Sequence, residues 1–149
     1  MISRWKQSSD SKEWFYVDEQ GNNKYGWIQD DNNWYFETPL LAMQKGWMYD
    51  RNDSTYYHFN DNGIMDNQTK YFEYTIGSIH DAYIMFDEKW NDQVVFFGEY
   101  KVGNKHYLVF YPSKVSQEDF LKGNFEYFYI YDCDTYNLSW YPVKTYYVQ

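Results

Sequence analysis

Tryptophans recur at nearly constant spacing in the first third of the chain, and their side chains could do binding chemistry. Trp5, Trp27 and Trp47 are separated by 22 and 20 residues, and Trp14 and Trp34 by 20. Aromatic faces attract quaternary ammonium groups through cation–π interactions of about 0.5–2 kcal/mol per ring. They also stack against sugar rings. The spacing therefore predicts cation-binding aromatic boxes or a carbohydrate-binding surface, and a purely structural stapling role is the third interpretation.

The residues that could support catalysis form no specific pattern. Cys133 lies between Asp132 and Asp134, whose carboxylates would raise the thiol pKa, contrary to what a nucleophile needs. The three histidines lack the spacing of a zinc site. Acidic residues are so frequent in the second half that carboxylate pairs, as in glycosidases, arise by chance. We therefore expect no enzymatic activity, no metal and no cofactor; a small cell-wall hydrolase is the alternative.

The elements that must position the aromatic residues are three in-phase β-hairpins. Each unit has a short strand carrying the first tryptophan, a turn rich in Asp, Asn and Ser, and a second strand with successive aromatics. The first strands start at Arg4, Gly26 and Gly46, and the second strands at Trp14, Trp34 and Tyr56. Neighbouring strand residues point to opposite faces, so Trp34 and Phe36 should share one face and Tyr35 the other. Stacked hairpins bury their faces and make a solenoid.

This pattern resembles the choline-binding, or cell-wall-binding, repeats of Gram-positive surface proteins and phage lytic enzymes. The resemblance rests on Gly-Trp, a polar spacer, an aromatic triplet such as Trp34-Tyr35-Phe36, and a following Met, and it covers about residues 4–66. It implies a left-handed superhelix of hairpins. It also implies that choline of teichoic acids binds between consecutive repeats.

In that family a box combines the Gly-Trp tryptophan, the first aromatic of the second strand and an aromatic of the next repeat. The resemblance implies a first box of Trp5, Trp14 and the strand start Trp34-Tyr35. It implies a second box of Trp27, Trp34 and either Tyr56 or Tyr57, with Met43 nearby. A third half-box would comprise Trp47 and Tyr56 with Met65, and would need a partner from the segment that follows.

The second half of the chain also has a β-rich pattern. We expect strands at Tyr71–Ile76 and Ala82–Phe86, and a hairpin around Gly103-Asn104. Ser116 and Asp119 resemble a capping box, which predicts one short helix over residues 117–122. The predicted fold is thus mainly β: a hairpin solenoid at 4–67, then a small β-rich domain at 70–149 with one short helix.

Composition excludes several partners. The net charge of −9 disfavours nucleic acid and anionic membranes, and no apolar run is long enough to span a bilayer. The single cysteine excludes an intrachain disulfide. The first residues do not form a signal peptide.

These observations predict a non-enzymatic binding protein that recognises choline or phosphocholine-bearing teichoic acid. Its expected location is the surface of a Gram-positive bacterium, or the medium if a phage product is released at lysis. A glucan-binding module and a structural repeat scaffold are the alternatives, and a homo-oligomer is left open.

Overall fold

The repeated Gly-Trp units fold as antiparallel hairpins, as the sequence predicts. The computed structural model describes residues 5–7, 14–38, 42–70, 72–90 and 92–142. The strands of the first half are β1 Trp5–Gln7, β2 Trp14–Tyr16, β3 Gly26–Asp30, β4 Asn33–Thr38, β5 Ala42–Met43, β6 Gly46–Asp50, β7 Thr55–Phe59 and β8 Met65–Asp66. The hairpins are β1–β2, β3–β4 and β6–β7, and the short strands β5 and β8 extend the second and third. Arg4 and the first predicted turn lie outside the described residues.

The polar residues in the turn of the second hairpin adopt the backbone conformation that the turn requires. Asp31 and Asn32 have φ angles of 49° and 70°, the left-handed conformation that a two-residue hairpin turn requires and that Asp and Asn tolerate. The resulting register pairs Trp27 with Phe36. Trp27, Trp34 and Phe36 therefore share one face of the hairpin and Tyr35 lies on the other, as predicted.

The third hairpin belongs to a seven-stranded sheet that continues into the second half. The later strands are β9 Val94–Val102, β10 Lys105–Pro112, β11 Tyr127–Asp132 and β12 Asn137–Pro142. The sheet order is β12-β11-β10-β9-β6-β7-β8. Gly46, at the start of β6, has a φ of 78°, and a Cβ there would clash with Glu99 of β9. Segments 4–67 and 70–149 thus share one sheet, while their status as separate domains and the superhelical winding stay predictions.

Two strand predictions in the second half are wrong. The segments Tyr71–Ile76 and Ala82–Phe86 belong instead to helix α1, Phe72–Met85, and a following π-helical turn, Phe86–Trp90; Tyr71 itself lies outside the described residues. Their aromatic content imitates a strand, but the buried residues follow a helical period along one face. That face comprises Thr75, Ile79, Ala82 and Phe86.

The predicted hairpin and the predicted short helix of the second half are confirmed, and the described residues contain one α-helix more than expected. The hairpin β9–β10 turns at Gly103-Asn104. Helix α2, Gln117–Leu121, begins at Ser116, whose Oγ accepts a hydrogen bond from the Asp119 N–H at 3.1 Å. The chain is mainly β, with antiparallel sheets.

Buried aromatic residues hold the hairpins against the second half. One buried cluster joins Phe36 of the second hairpin and Phe59 of the third to Phe97 and to Phe120 of α2. A second cluster lies beneath α1. Trp14, Trp34 and Trp140 remain exposed. Many of the aromatics are therefore core residues, and a smaller set is available for a ligand.

Candidate functional site

The first two repeats dock onto their successors through the same pair of contacts. The Trp5 ring lies 4.9 Å from the Tyr35 ring, and its Nε1 donates to Asp30 Oδ2 at 3.1 Å. One repeat later, the Trp27 ring lies 4.8 Å from Tyr57, and its Nε1 donates to Asp50 Oδ2 at 2.8 Å. A shared docking geometry therefore relates the first hairpin to the second and the second to the third.

The two aspartates in these contacts were missed by the sequence analysis. Asp30 and Asp50 each stand three residues after a Gly-Trp tryptophan, in the segments Gly26–Asp30 and Gly46–Asp50. Each ends the first strand of its hairpin. A Gly-Trp-x-x-Asp pattern in two of the units was the available signal.

The first predicted box is an open cavity of about 330 Å³. Its aromatic walls are Trp5, Trp14 and Tyr35, and Met43 also lines it. Trp14 is 40% exposed, so one wall faces solvent. Trp34, the other residue predicted at this strand start, lies on the opposite face of β4. Alternation along the strand thus selects Tyr35 rather than Trp34 for this cavity.

The second predicted box is more closely packed. The Trp27 ring makes edge-on contacts with Trp34 at 6.0 Å and with Tyr57 at 4.8 Å. It also packs on Phe36, 5.3 Å away. Of the two tyrosines predicted as alternatives for this box, Tyr57 contacts Trp27. Tyr56 instead contacts Tyr49 and Phe72, the first residue of α1. Met43, predicted here, lines the first cavity instead.

The third half-box is closed by helix α1. Trp47 is only 6% exposed, and the Phe72 ring lies 4.5 Å from it and 5.6 Å from Tyr56. The partner that the sequence required from the following segment is therefore Phe72. Trp47 Nε1 is buried and has no acceptor within the described part of the chain. Met65 is half-buried and pairs with Phe59.

One acidic and one basic side chain line the first cavity. The Asp61 carboxylate lines it together with Asn62 and one cation, Lys45. Asp30 contacts the Trp5 indole directly. On the Tyr35 side of β4, Glu37 is fully buried, and burial raises the pKa of its carboxyl to about 8 although the Tyr16 N–H donates to it. The charges of Asp61 and Lys45 offset each other, so the electron-rich rings are the feature of the cavity that favours an organic cation over an anion.

The geometry gives the catalytic alternatives little support. Burial, and then the neighbouring Asp134 and Asp132, raise the pKa of the Cys133 thiol to about 11, which disfavours the thiolate. The His106 ring is bonded through Nε2 to Glu99 Oε2 at 2.7 Å. Burial opposes ionisation of Glu99, but hydrogen bonds from His106 and the Trp47 N–H bring its pKa below the ordinary value.

The described residues contain neither a metal-binding cluster nor a membrane-spanning helix. Among the described residues, no group of three or more His, Cys, Asp and Glu side chains is placed to hold a metal ion. Within the same part of the chain, no helix has the length and hydropathy needed to cross a membrane.

Comparison with known proteins gives structural likenesses. No protein-family model and no curated protein sequence matches the chain. It is similar to the structure of CbpJ from Streptococcus pneumoniae TIGR4, with 26% identity over 72% of this chain and 26% of that one, at a TM-score of 0.35. It is also similar to choline binding protein F from Streptococcus pneumoniae, with 20% identity over 71% and 32%, at a TM-score of 0.38.

The chain thus spans about a quarter to a third of the structures that it resembles.

Proposed function

We propose that the protein is a non-enzymatic cell-surface binding protein whose hairpin repeats recognise choline on a Gram-positive cell-wall polymer. The observation that carries this proposal is the cavity between the first two hairpins, where Trp5, Trp14 and Tyr35 form three aromatic walls. A trimethylammonium group needs this environment, because it has no hydrogen-bond donor and is held by ring faces.

The expected affinity of one site is low. Three rings at about 1.4 kcal/mol each give about 4 kcal/mol, which corresponds to a Kd of about 1 mM. A polymer that carries many choline groups would gain useful avidity by engaging more than one molecule or more than one site. Phosphocholine-bearing teichoic acid is a ligand of this kind.

A choline titration monitored by tryptophan fluorescence tests the proposal. Saturable change is expected in the wild type. Trp14→Ala should weaken choline binding about tenfold, because the variant loses one ring and about 1.4 kcal/mol. The matched control is Trp140→Ala, which removes a similarly exposed tryptophan from β12, at the far edge of the sheet. Equal choline affinity in the two variants would contradict the assignment of the cavity.

Carbohydrate binding by the same aromatic walls is the second candidate. Trp14 favours it, since an exposed indole face is a suitable platform for a sugar ring. Competition separates the two: free choline should displace the protein from a choline polymer, and a soluble glucan should not. Displacement by the glucan alone would assign the cavity to sugar.

A further inference from the structure

A second cavity adjoins the aromatic one, at the seam between the third hairpin and β9. Its volume is about 280 Å³, and Met43, Lys45 and Asp61 line both cavities. Its remaining lining includes Gln44 and Lys101. The box prediction does not account for this cavity, and none of its polar residues was identified from the sequence.

The formal charges around this cavity cancel. Lys45 and Lys101 contribute two positive charges, and Asp61 and Glu99 two negative ones. Glu99 already accepts hydrogen bonds from the Trp47 N–H and from His106, each at 2.7 Å. A small ion would therefore gain little net attraction here.

The cavity nevertheless offers donors and acceptors on one small surface. Gln44 Nε2 donates to the carbonyl oxygens of Lys45 and Glu99, both at 2.9 Å, which fixes the amide orientation. Its Oε1 is buried in the cavity wall and receives no hydrogen bond from the described residues. Lys101 supplies donors, Asp61 supplies acceptors, and Phe59 adds an apolar surface. Hydroxyl groups, which both donate and accept, suit such a lining.

We propose that this cavity binds one neutral sugar ring. Its volume is near the lower end of the range for small-molecule sites, and its balanced charge selects an uncharged ligand with many hydroxyls. The shared lining residues place the sugar next to the aromatic cavity. If choline fills that cavity, as the proposed function holds, one polymer segment that bears choline on a sugar occupies both.

Ligand-observed NMR with methyl glucoside, N-acetylglucosamine and inorganic phosphate tests the sugar site on the full chain. At least one sugar should bind with a millimolar Kd, and phosphate should not compete with it. Lys101→Ala, an exposed change that lines the polar cavity and not the aromatic one, should weaken sugar binding about tenfold. Asp61→Asn should also weaken it. The matched control is Lys105→Ala, which removes an exposed lysine that does not line this cavity and should leave sugar binding unchanged.

Choline titrations of the same samples keep the two proposals distinguishable. Trp14→Ala should weaken choline and leave the sugar unaffected, and Lys101→Ala should do the reverse. The sugar site is overturned if the wild type binds neither sugar, if phosphate displaces the sugar, or if Trp14→Ala abolishes sugar binding while Lys101→Ala does not. If the wild type binds a sugar but does not bind choline, the proposed function is refuted and the sugar site is supported.

Discussion

Glu37 should make the stability of the protein depend on pH in an unusual direction. Its side chain is fully buried, Oε2 accepts the Tyr16 N–H at 2.7 Å, and Oε1 has no partner within the described residues. Burial raises the pKa of the carboxyl from 4.5 to about 8. Between these values the folded protein keeps a proton that the unfolded chain releases. The free energy of unfolding therefore falls as pH rises. The contribution of Glu37 is complete below the pKa of the unfolded chain, and it is lost as pH rises through the pKa of the folded protein.

The size of the effect follows from one proton. A single linked proton changes the free energy of unfolding by about 1.4 kcal/mol per pH unit, so about 3 kcal/mol is lost between about pH 5 and about pH 7.5. Glu37→Gln has a neutral side chain of the same shape, and its oxygen can accept the same Tyr16 N–H. The variant should lack this dependence and be more stable than the wild type near pH 7.5.

Urea denaturation at several pH values, followed by tryptophan fluorescence and by far-UV circular dichroism, measures this difference. The comparison with Glu37→Gln subtracts all other titrating groups, including the histidines. Hydrogen exchange of the β1–β2 amides detects loosening confined to the first hairpin, where Tyr16 lies. Parallel pH dependence in the wild type and the variant by all three measurements would refute the reasoning.

Two further changes test how the repeats are held. Phe72→Ala should destabilise the protein by about 2–3 kcal/mol in urea denaturation, because it opens the cluster around Trp47. Ile84→Ala, an exposed change on the same helix, should cost about 0.5 kcal/mol or less. Equal costs would contradict the closure of the third half-box by α1. Asp50→Ala should cost about 3 kcal/mol, since buried Asp50 accepts hydrogen bonds from both Trp27 and Gln117. Asp30→Ala removes a part-buried hydrogen bond from the Trp5 indole and should cost about 1 kcal/mol by the same assay. A larger cost for Asp30→Ala than for Asp50→Ala would contradict this reasoning.

Local sequence patterns predicted the elements whose causes are local. The polar turn of the second hairpin and the cap at Ser116 each depend on residues close in the chain, and both are confirmed. Strand alternation also placed Trp34 and Tyr35 on opposite faces. Which face meets the preceding hairpin depends on docking between repeats, and the sequence pattern left both residues in the first box.

Long-range contacts explain the remaining differences. Helix α1 was mistaken for strands because its aromatic residues are spread around the helix, and only its tertiary contacts select the buried face. The closure of the third box by Phe72 joins residues that are 25 positions apart. The adjoining polar cavity requires β6 to lie beside β9, a pairing between residues about 50 positions apart, for which no local pattern exists.

The three hairpins differ in how they are joined to the seven-stranded sheet, and this difference links ligand binding to local opening of the hairpins. Among the described residues, the third hairpin is part of the seven-stranded sheet, whereas the first and second hairpins lie in separate small sheets. Units outside the large sheet have fewer backbone hydrogen bonds to neighbouring strands, so the free energy of local opening should increase from the first hairpin towards the third. The aromatic cavity uses Trp5 from the first hairpin and Tyr35 from the second. A ligand held there adds its binding free energy to the contact between these two hairpins, so polymer binding should stabilise the hairpin that opens most readily.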